Sequence, residues 1–140
     1  MSNKIALEKR QPRYSLEQAN SMLGLIRDVI GQLQDAAAVS DAESDQLAFF
    51  EKRKASVGRA EFDDEFEDVR SDLLSTRNVH RQCLEELQSL SVSIDPEDFT
   101  HVDIAGSLDG KPIVWCWRTD EPNITHWHLI GQGLADRRSI

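Results

Sequence analysis

Long apolar runs are missing from this chain, and with them the membrane helix: no stretch approaches the roughly 20 apolar residues that crossing a bilayer requires. The opening segment, Met1 to Ser15, has basic side chains but neither an apolar core of signal-peptide length nor a small-residue cleavage site, so a cytoplasmic protein is expected. Cysteine is scarce. The two present, Cys83 and Cys116, lie far apart in apolar patterns, which excludes a disulfide framework or a CxxC pair and predicts buried free thiols. Basic charge is in deficit as well. With 16 Lys and Arg against 25 Asp and Glu, the net charge of −9 and pI near 4.8 exclude nucleic acid and anionic membrane as natural partners. Finally, there is no G-x-S-x-G nucleophile elbow, and Gly131 and Gly133 lack the strand–turn–helix context of a phosphate loop, so they read as a turn before a docked tail carrying Arg137 and Arg138.

What is present is a change of pattern two thirds of the way along. At 140 residues the chain has the size of one domain, read here as residues 1–140 with a helical hairpin over 14–92 and an antiparallel sheet and tail over 93–140. Ser15 stands three residues before Gln18, the capping-box spacing, and predicts a helix start. From there Leu16, Ala19, Leu23, Ile26, Ile30, Leu33 and Ala37 alternate spacings of three and four, laying one apolar stripe along a helix. Gly24 and Gly31 sit between stripe positions and suggest close approach of another backbone. Asp41 to Ala60 is a helical continuation or connector, with Gly58 as an end signal.

The second helix carries Phe62, Phe66, Val69, Leu73, Thr76, His80, Cys83, Leu87 and Leu90 at alternating four and three, the seam of a coiled coil or helix bundle. Thr76 and His80 either form a polar layer in that seam or the seam tilts onto Leu74 and Leu84. "EFDDEFED", Glu61 to Asp68, concentrates six carboxylates in eight residues, which suits a helix N-terminus. Two helices with one stripe each cannot close a core, so the stripes are expected to pack on each other and on either the sheet or a second subunit, making a homodimer the expected state.

Asp95-Pro96 breaks the helix, and Asp109-Gly110 between alternating apolar residues marks a two-residue hairpin. Three strands are predicted, at about 100–105, 113–118 and 124–129, with "TDEPN" as the second turn. Alternation puts Ile113, Trp115 and Trp117 on one face and Val114, Cys116 and Arg118 on the other; His126 and His128 share a face opposite Trp127. The expected fold is therefore α+β, a long antiparallel helical hairpin packed on a small three-stranded antiparallel sheet.

The chemistry is concentrated in "WCWRTDEPNITHWH", Trp115 to His128. Two imidazoles two residues apart on a strand can reach one divalent metal, with Glu121 or Asp103 completing an N/O set, so His126, His128 and Glu121 form a candidate metal site. Asp103, Trp117, Arg118, Glu121 and His128 form a candidate ligand site, in which His128 with a carboxylate could do acid–base work and Arg118 could clamp an anion. The competing reading is an aromatic core, since a small sheet needs large buried side chains. Taken in order, "YSLEQANSML", a long second helix, "VDI", "DGKPIVWCWR", "EPNITHWH" and a glycine–arginine tail resemble a family of small prokaryotic proteins catalogued as domain of unknown function 2203. The likeness runs from about Tyr14 to Ile140 and is most specific in Trp117, Arg118, Glu121, Trp127 and His128. The resemblance implies an aromatic at the position of His126 and an acidic residue at that of Leu129. Those departures move the expected site toward His128 with Glu121 and Asp103.

No activity comes with the resemblance. The leading expectation is a cytoplasmic binding or protein-interaction module that dimerises through its helices. The alternatives are a small-molecule or metal site on the sheet, catalytic or not, and an apolar-ligand cavity lined by the Trp cluster and the helix stripes.

Overall fold

A reciprocal capping box opens the fold: Ser15 Oγ accepts from the Gln18 amide at 3.1 Å and Gln18 Oε1 accepts from the Ser15 amide at 2.9 Å. The structure is a computed structural model and describes residues 12–56, 63–95 and 98–140. Helix α1 (Leu16–Ser21) passes through Met22, which keeps right-handed helical dihedrals, into α2 (Leu23–Ser56); α3 follows (Asp63–Ser89). Gly58, Phe62 and Pro96, assigned from sequence to a helix end, a seam position and a helix break, lie outside the described residues.

The stripes are where periodicity puts them. Ala19, Leu23, Ile26, Ile30 and Leu33 are buried on the first helices, as are Leu73, Cys83 and Leu87 on α3. Leu74 is exposed, so the α3 seam does not tilt onto it. Thr76 instead makes a polar layer, donating to Glu43 Oε1 at 3.0 Å. Among the described residues, no atom beyond the helix's own neighbouring backbone lies within 4 Å of where a Cβ would stand at Gly24 or Gly31, so none of them makes the close backbone approach expected there.

The chain divides into two compact units, one comprising residues 1–30 and 84–140 and the other residues 31–83. The first holds the sheet, the second the C-terminal part of α2 and the N-terminal part of α3.

The sheet has five antiparallel strands, not three: β1 (Val92–Ile94), β2 (His101–Leu108), β3 (Lys111–Arg118), β4 (His126–His128) and β5 (Arg138–Ser139), in that spatial order. The additional strands are the short outer ones, of three and two residues, too brief for alternation to register. Entry to β1 depends on Ser91, which takes a left-handed φ of 60° after the helix end where glycine is usual. The hairpin signal is met in full, with Asp109 at φ 52° and Gly110 at φ 77° in the two-residue turn that pairs Leu108 with Lys111. Both cysteines are buried free thiols.

Register then fixes the faces. Trp115 stands opposite Ile104 and Trp127, and Trp117 opposite Val102, so one face is apolar across four strands with Val92 and Ile94 of β1. Trp115 and Trp117 are fully buried, each worth about 4–6 kcal/mol of gross apolar burial. The Trp115 indole occupies the space where Gly106 lacks a Cβ and donates to the Tyr14 carbonyl at 2.9 Å. Tyr14 also pairs in parallel with β2 through Tyr14 N to Ala105 O and Ser107 N to Tyr14 O, both 3.0 Å. The Asn20 side chain accepts from the Ile124 amide at 2.8 Å, and the Arg27 guanidinium lies 4.9 Å above the Trp117 ring.

Candidate functional site

The opposite face of the sheet carries polar groups that are largely buried. Counting back from the two-residue hairpin sets Asp103 directly across from Cys116, and Ser93 of β1 lies on the other side of Asp103. On β4, His128 pairs with Val114, one step along the same face. Three central strands thereby deliver Asp103, Cys116 and His128 to one place, with a carboxylate oxygen, Sγ and a ring nitrogen all within 4.8 Å of one another.

His128 is 2 % exposed and both its ring nitrogens are engaged. Nδ1 lies 2.8 Å from the Leu129 carbonyl, which can only accept, so Nδ1 carries a hydrogen. Nε2 lies 3.2 Å from Asp103 Oδ1, whose side chain is 26 % exposed. Burial opposes charge on the ring. Hydrogen bonds with Asp103, Cys116 and the Leu129 carbonyl, together with the negative charge of Asp103, outweigh it and push the pKa up to about 10. The imidazole of His128 is thus held toward its charged form beside Asp103. Beside it is a cavity of about 160 Å³ walled by Ser93, Val114, Ile130, Gly131 and Gln132.

The arrangement is not a nucleophilic triad. A Cys–His–Asp relay needs the thiol and the orienting carboxylate on different ring nitrogens. Here the carboxylate has Nε2 and a backbone carbonyl has Nδ1, so Cys116, which is itself fully buried, has no ring nitrogen to itself.

Glu121 belongs to a different cluster. Its Oε1 accepts from the Arg118 amide at 2.8 Å, and Arg137 Nη2 bridges both carboxylate oxygens at 3.0 and 2.9 Å. Thr125 Oγ1 lies 3.3 Å from Oε2, and His126 Nδ1 lies 3.8 Å from it and accepts from Arg137 at 2.6 Å. Burial of this carboxyl disfavours its charge, but the Arg118 amide and Arg137 outweigh that and lower its pKa. The Glu121 carbonyl in turn receives Trp117 Nε1 at 2.9 Å and Arg27 Nη2 at 3.1 Å. Glu121 is therefore the knot that ties the β3–β4 turn to the C-terminal segment. Arg138 adds a second tie there, its guanidinium 5.2 Å above the Trp127 ring.

Of the residues singled out from sequence, the structure brings Asp103 and His128 together and places Glu121 and His126 in the Arg137 cluster. Trp117 is buried against the other face. The Arg118 side chain lies at the surface, 3.8 Å from Asp120. Among the described residues, the one group of three metal-ligand side chains that converges is Asp103, Cys116 and His128. The apolar pattern around Cys116 marks it only as a core thiol. The signal that finds it is hairpin register, since the Asp-Gly turn alone sets it opposite Asp103.

An α+β protein with a five-stranded antiparallel sheet and a cavity beside a buried histidine paired with an aspartate is the class these observations define. The chain belongs to the family described as Uncharacterized conserved protein (DUF2203), whose model matches residues 13–140. No curated protein and no solved structure matches it. Among the described residues no helix is long and apolar enough to cross a membrane.

Proposed function

We propose that the protein is a binding module whose working surface is the polar face of the C-terminal sheet, centred on Asp103 and His128. The observation that carries this reading is the pairing of a buried ionic group with a cavity. A purely structural ion pair is served best by close packing, because empty space beside it forfeits contacts and admits competing water. Here the wall of Ser93, Ile130, Gly131 and Gln132 leaves about 160 Å³ beside the pair, roughly the share of liquid volume of five waters. That space suits an ion with its remaining ligands or a carboxylate-sized molecule.

Native mass spectrometry of the untagged protein, as purified and after addition of zinc, acetate or inorganic phosphate, tests this. A noncovalent mass on the wild type that is lost in Ser93→Leu, which puts a larger apolar side chain into the cavity wall, is the expected result. A wild type that carries nothing and takes up none of the three probes would reduce the pair to a structural ion pair.

A second reading rests on a different observation. In the unit of residues 31–83, Val39 and Val79 are 47 % and 44 % exposed and line one shallow groove with Ala36 and Thr76. Paired aliphatic side chains left open on two helices favour association of the helices with a second copy. At a net charge of −9 that association should strengthen as salt screens self-repulsion. Sedimentation velocity across a salt series checks this; a monomer at every concentration and ionic strength contradicts it.

A further inference from the structure

We infer that Asp103, Cys116 and His128 form a site for a divalent transition metal of the zinc class, its fourth coordination position facing the cavity. This inference rests on the binding reading above and names what is bound. Four features of the geometry carry it.

The first is preorganisation. The three side chains stand on adjacent strands β2, β3 and β4 rather than on loops, and their donor atoms lie within 4.8 Å of one another. Tetrahedral zinc, with bonds of about 2.0–2.3 Å, places its donors roughly 3.3–3.8 Å apart. His128 Nε2 and Asp103 Oδ1 are already 3.2 Å apart, so the closure needed falls on Cys116 Sγ and is at most about 1.5 Å.

The second is the state of the imidazole. Its Nδ1–H is held by the Leu129 carbonyl at 2.8 Å, the outer contact that metal-bound histidines habitually make, and it fixes Nε2 as the nitrogen to be metallated. The third is the donor set. One thiolate, one imidazole and one carboxylate form a mixed set that zinc accepts and that calcium and magnesium, which take oxygen, do not.

The fourth is openness. Three protein ligands leave a position free, and the cavity beyond it is walled in part by Gln132, whose Oε1 accepts from the Leu129 amide at 3.1 Å and whose amide nitrogen can donate to a water or a small anionic ligand. Glu121 is unsuited to complete the set, because the Arg118 amide and Arg137 already occupy its oxygens. On binding, the ion replaces the hydrogen of Cys116 Sγ and that of His128 Nε2, and both protons pass to solvent.

Cobalt(II) titration of the full chain, followed by absorption spectroscopy, tests the assignment. The wild type should develop a thiolate-to-cobalt charge-transfer band in the near ultraviolet and the intense visible bands of four-coordinate cobalt, and zinc should displace both. Cys116→Ser should lose the charge-transfer band, Asp103→Asn should weaken uptake on the order of tenfold or more, and His126→Phe should leave the spectrum unchanged. Far-ultraviolet circular dichroism confirms that each variant is folded, and the wild-type charge-transfer band stands as evidence even if Cys116→Ser does not fold. Cobalt bands lost in His126→Phe and kept in Cys116→Ser would overturn the assignment in favour of the His126 and Glu121 set. No metal uptake alongside an acetate or phosphate adduct would overturn the metal and leave the binding reading standing. Uptake of none of these probes would overturn both.

Discussion

The sheet and the helical segment handle their exceptions to the apolar-inside rule in opposite ways. The sheet draws polar groups inward and satisfies most of them: His128 is buried with both nitrogens bonded, and Glu121 receives the Arg118 amide and Arg137 at once, while His101 Nδ1 and Arg137 Nε are buried without a hydrogen-bond partner. The helices of residues 31–83 leave apolar groups outward, with Val39 and Val79 exposed over one groove and Leu74 and Phe49 exposed elsewhere. A buried polar group constrains what surrounds it, since removing any partner leaves another unsatisfied. An exposed valine constrains nothing within its own chain. Substitutions should accordingly be costly in the sheet and nearly free on the helices, and any effect of the helix substitutions should appear only in association.

The largest effect is expected at Gly106, where any side chain displaces the Trp115 indole from its place against the strand and from its bond to Tyr14. Gly106→Val should cost about 3 kcal/mol or more, read by urea denaturation followed through tryptophan fluorescence. Next comes Glu121→Ala, which leaves the half-buried Arg137 and the Arg118 amide without their acceptor. A loss of about 2–3 kcal/mol is expected, reduced from the fully buried case because the pair retains some contact with water.

The same carboxylate predicts a pH dependence. Its folded pKa lies below the ordinary 4.5, so the stabilisation is complete above that value and is lost as pH falls through the folded pKa. Denaturation midpoints measured from neutral pH downward should therefore fall more steeply for the wild type than for Glu121→Gln, and parallel curves would break the argument. Smaller still is Thr76→Val, which removes the bond to Glu43 on the helices and should cost about 0.5–1 kcal/mol. Smallest is Val39→Glu with Val79→Glu, expected to change monomer stability by no more than about 0.5 kcal/mol while abolishing any dimer seen in sedimentation. A large loss of stability there would erase the contrast between the two regions.

How much of this was legible in the sequence varies with the range of the forces involved. The helix start at Ser15 and the buried stripes were readable, because capping and periodicity are local signals. So was the central hairpin; its turn type also implies the meeting of Asp103 and Cys116, although the site expected from sequence did not include Cys116. The outer strands β1 and β5 were not, since three and two residues draw their conformation from the neighbour they pair with. Nor was the division of labour between the carboxylates. Which of Asp103 and Glu121 meets His128 depends on where β4 docks, and "TDEPN" does not fix that register as Asp-Gly fixes the other. The Arg137 bond that claims Glu121 reaches across 16 residues, beyond any local pattern.

Most hangs on whether Asp103, Cys116 and His128 hold a zinc-class ion. Calorimetric titration of zinc into the metal-free full chain, repeated in buffers of different ionisation enthalpy, tests it most directly. The account predicts saturable binding at about one ion per chain with protons released to the buffer, weakening as pH falls and metal and proton compete for the same atoms. Absence of saturable heat, or binding with no release of protons, would contradict it.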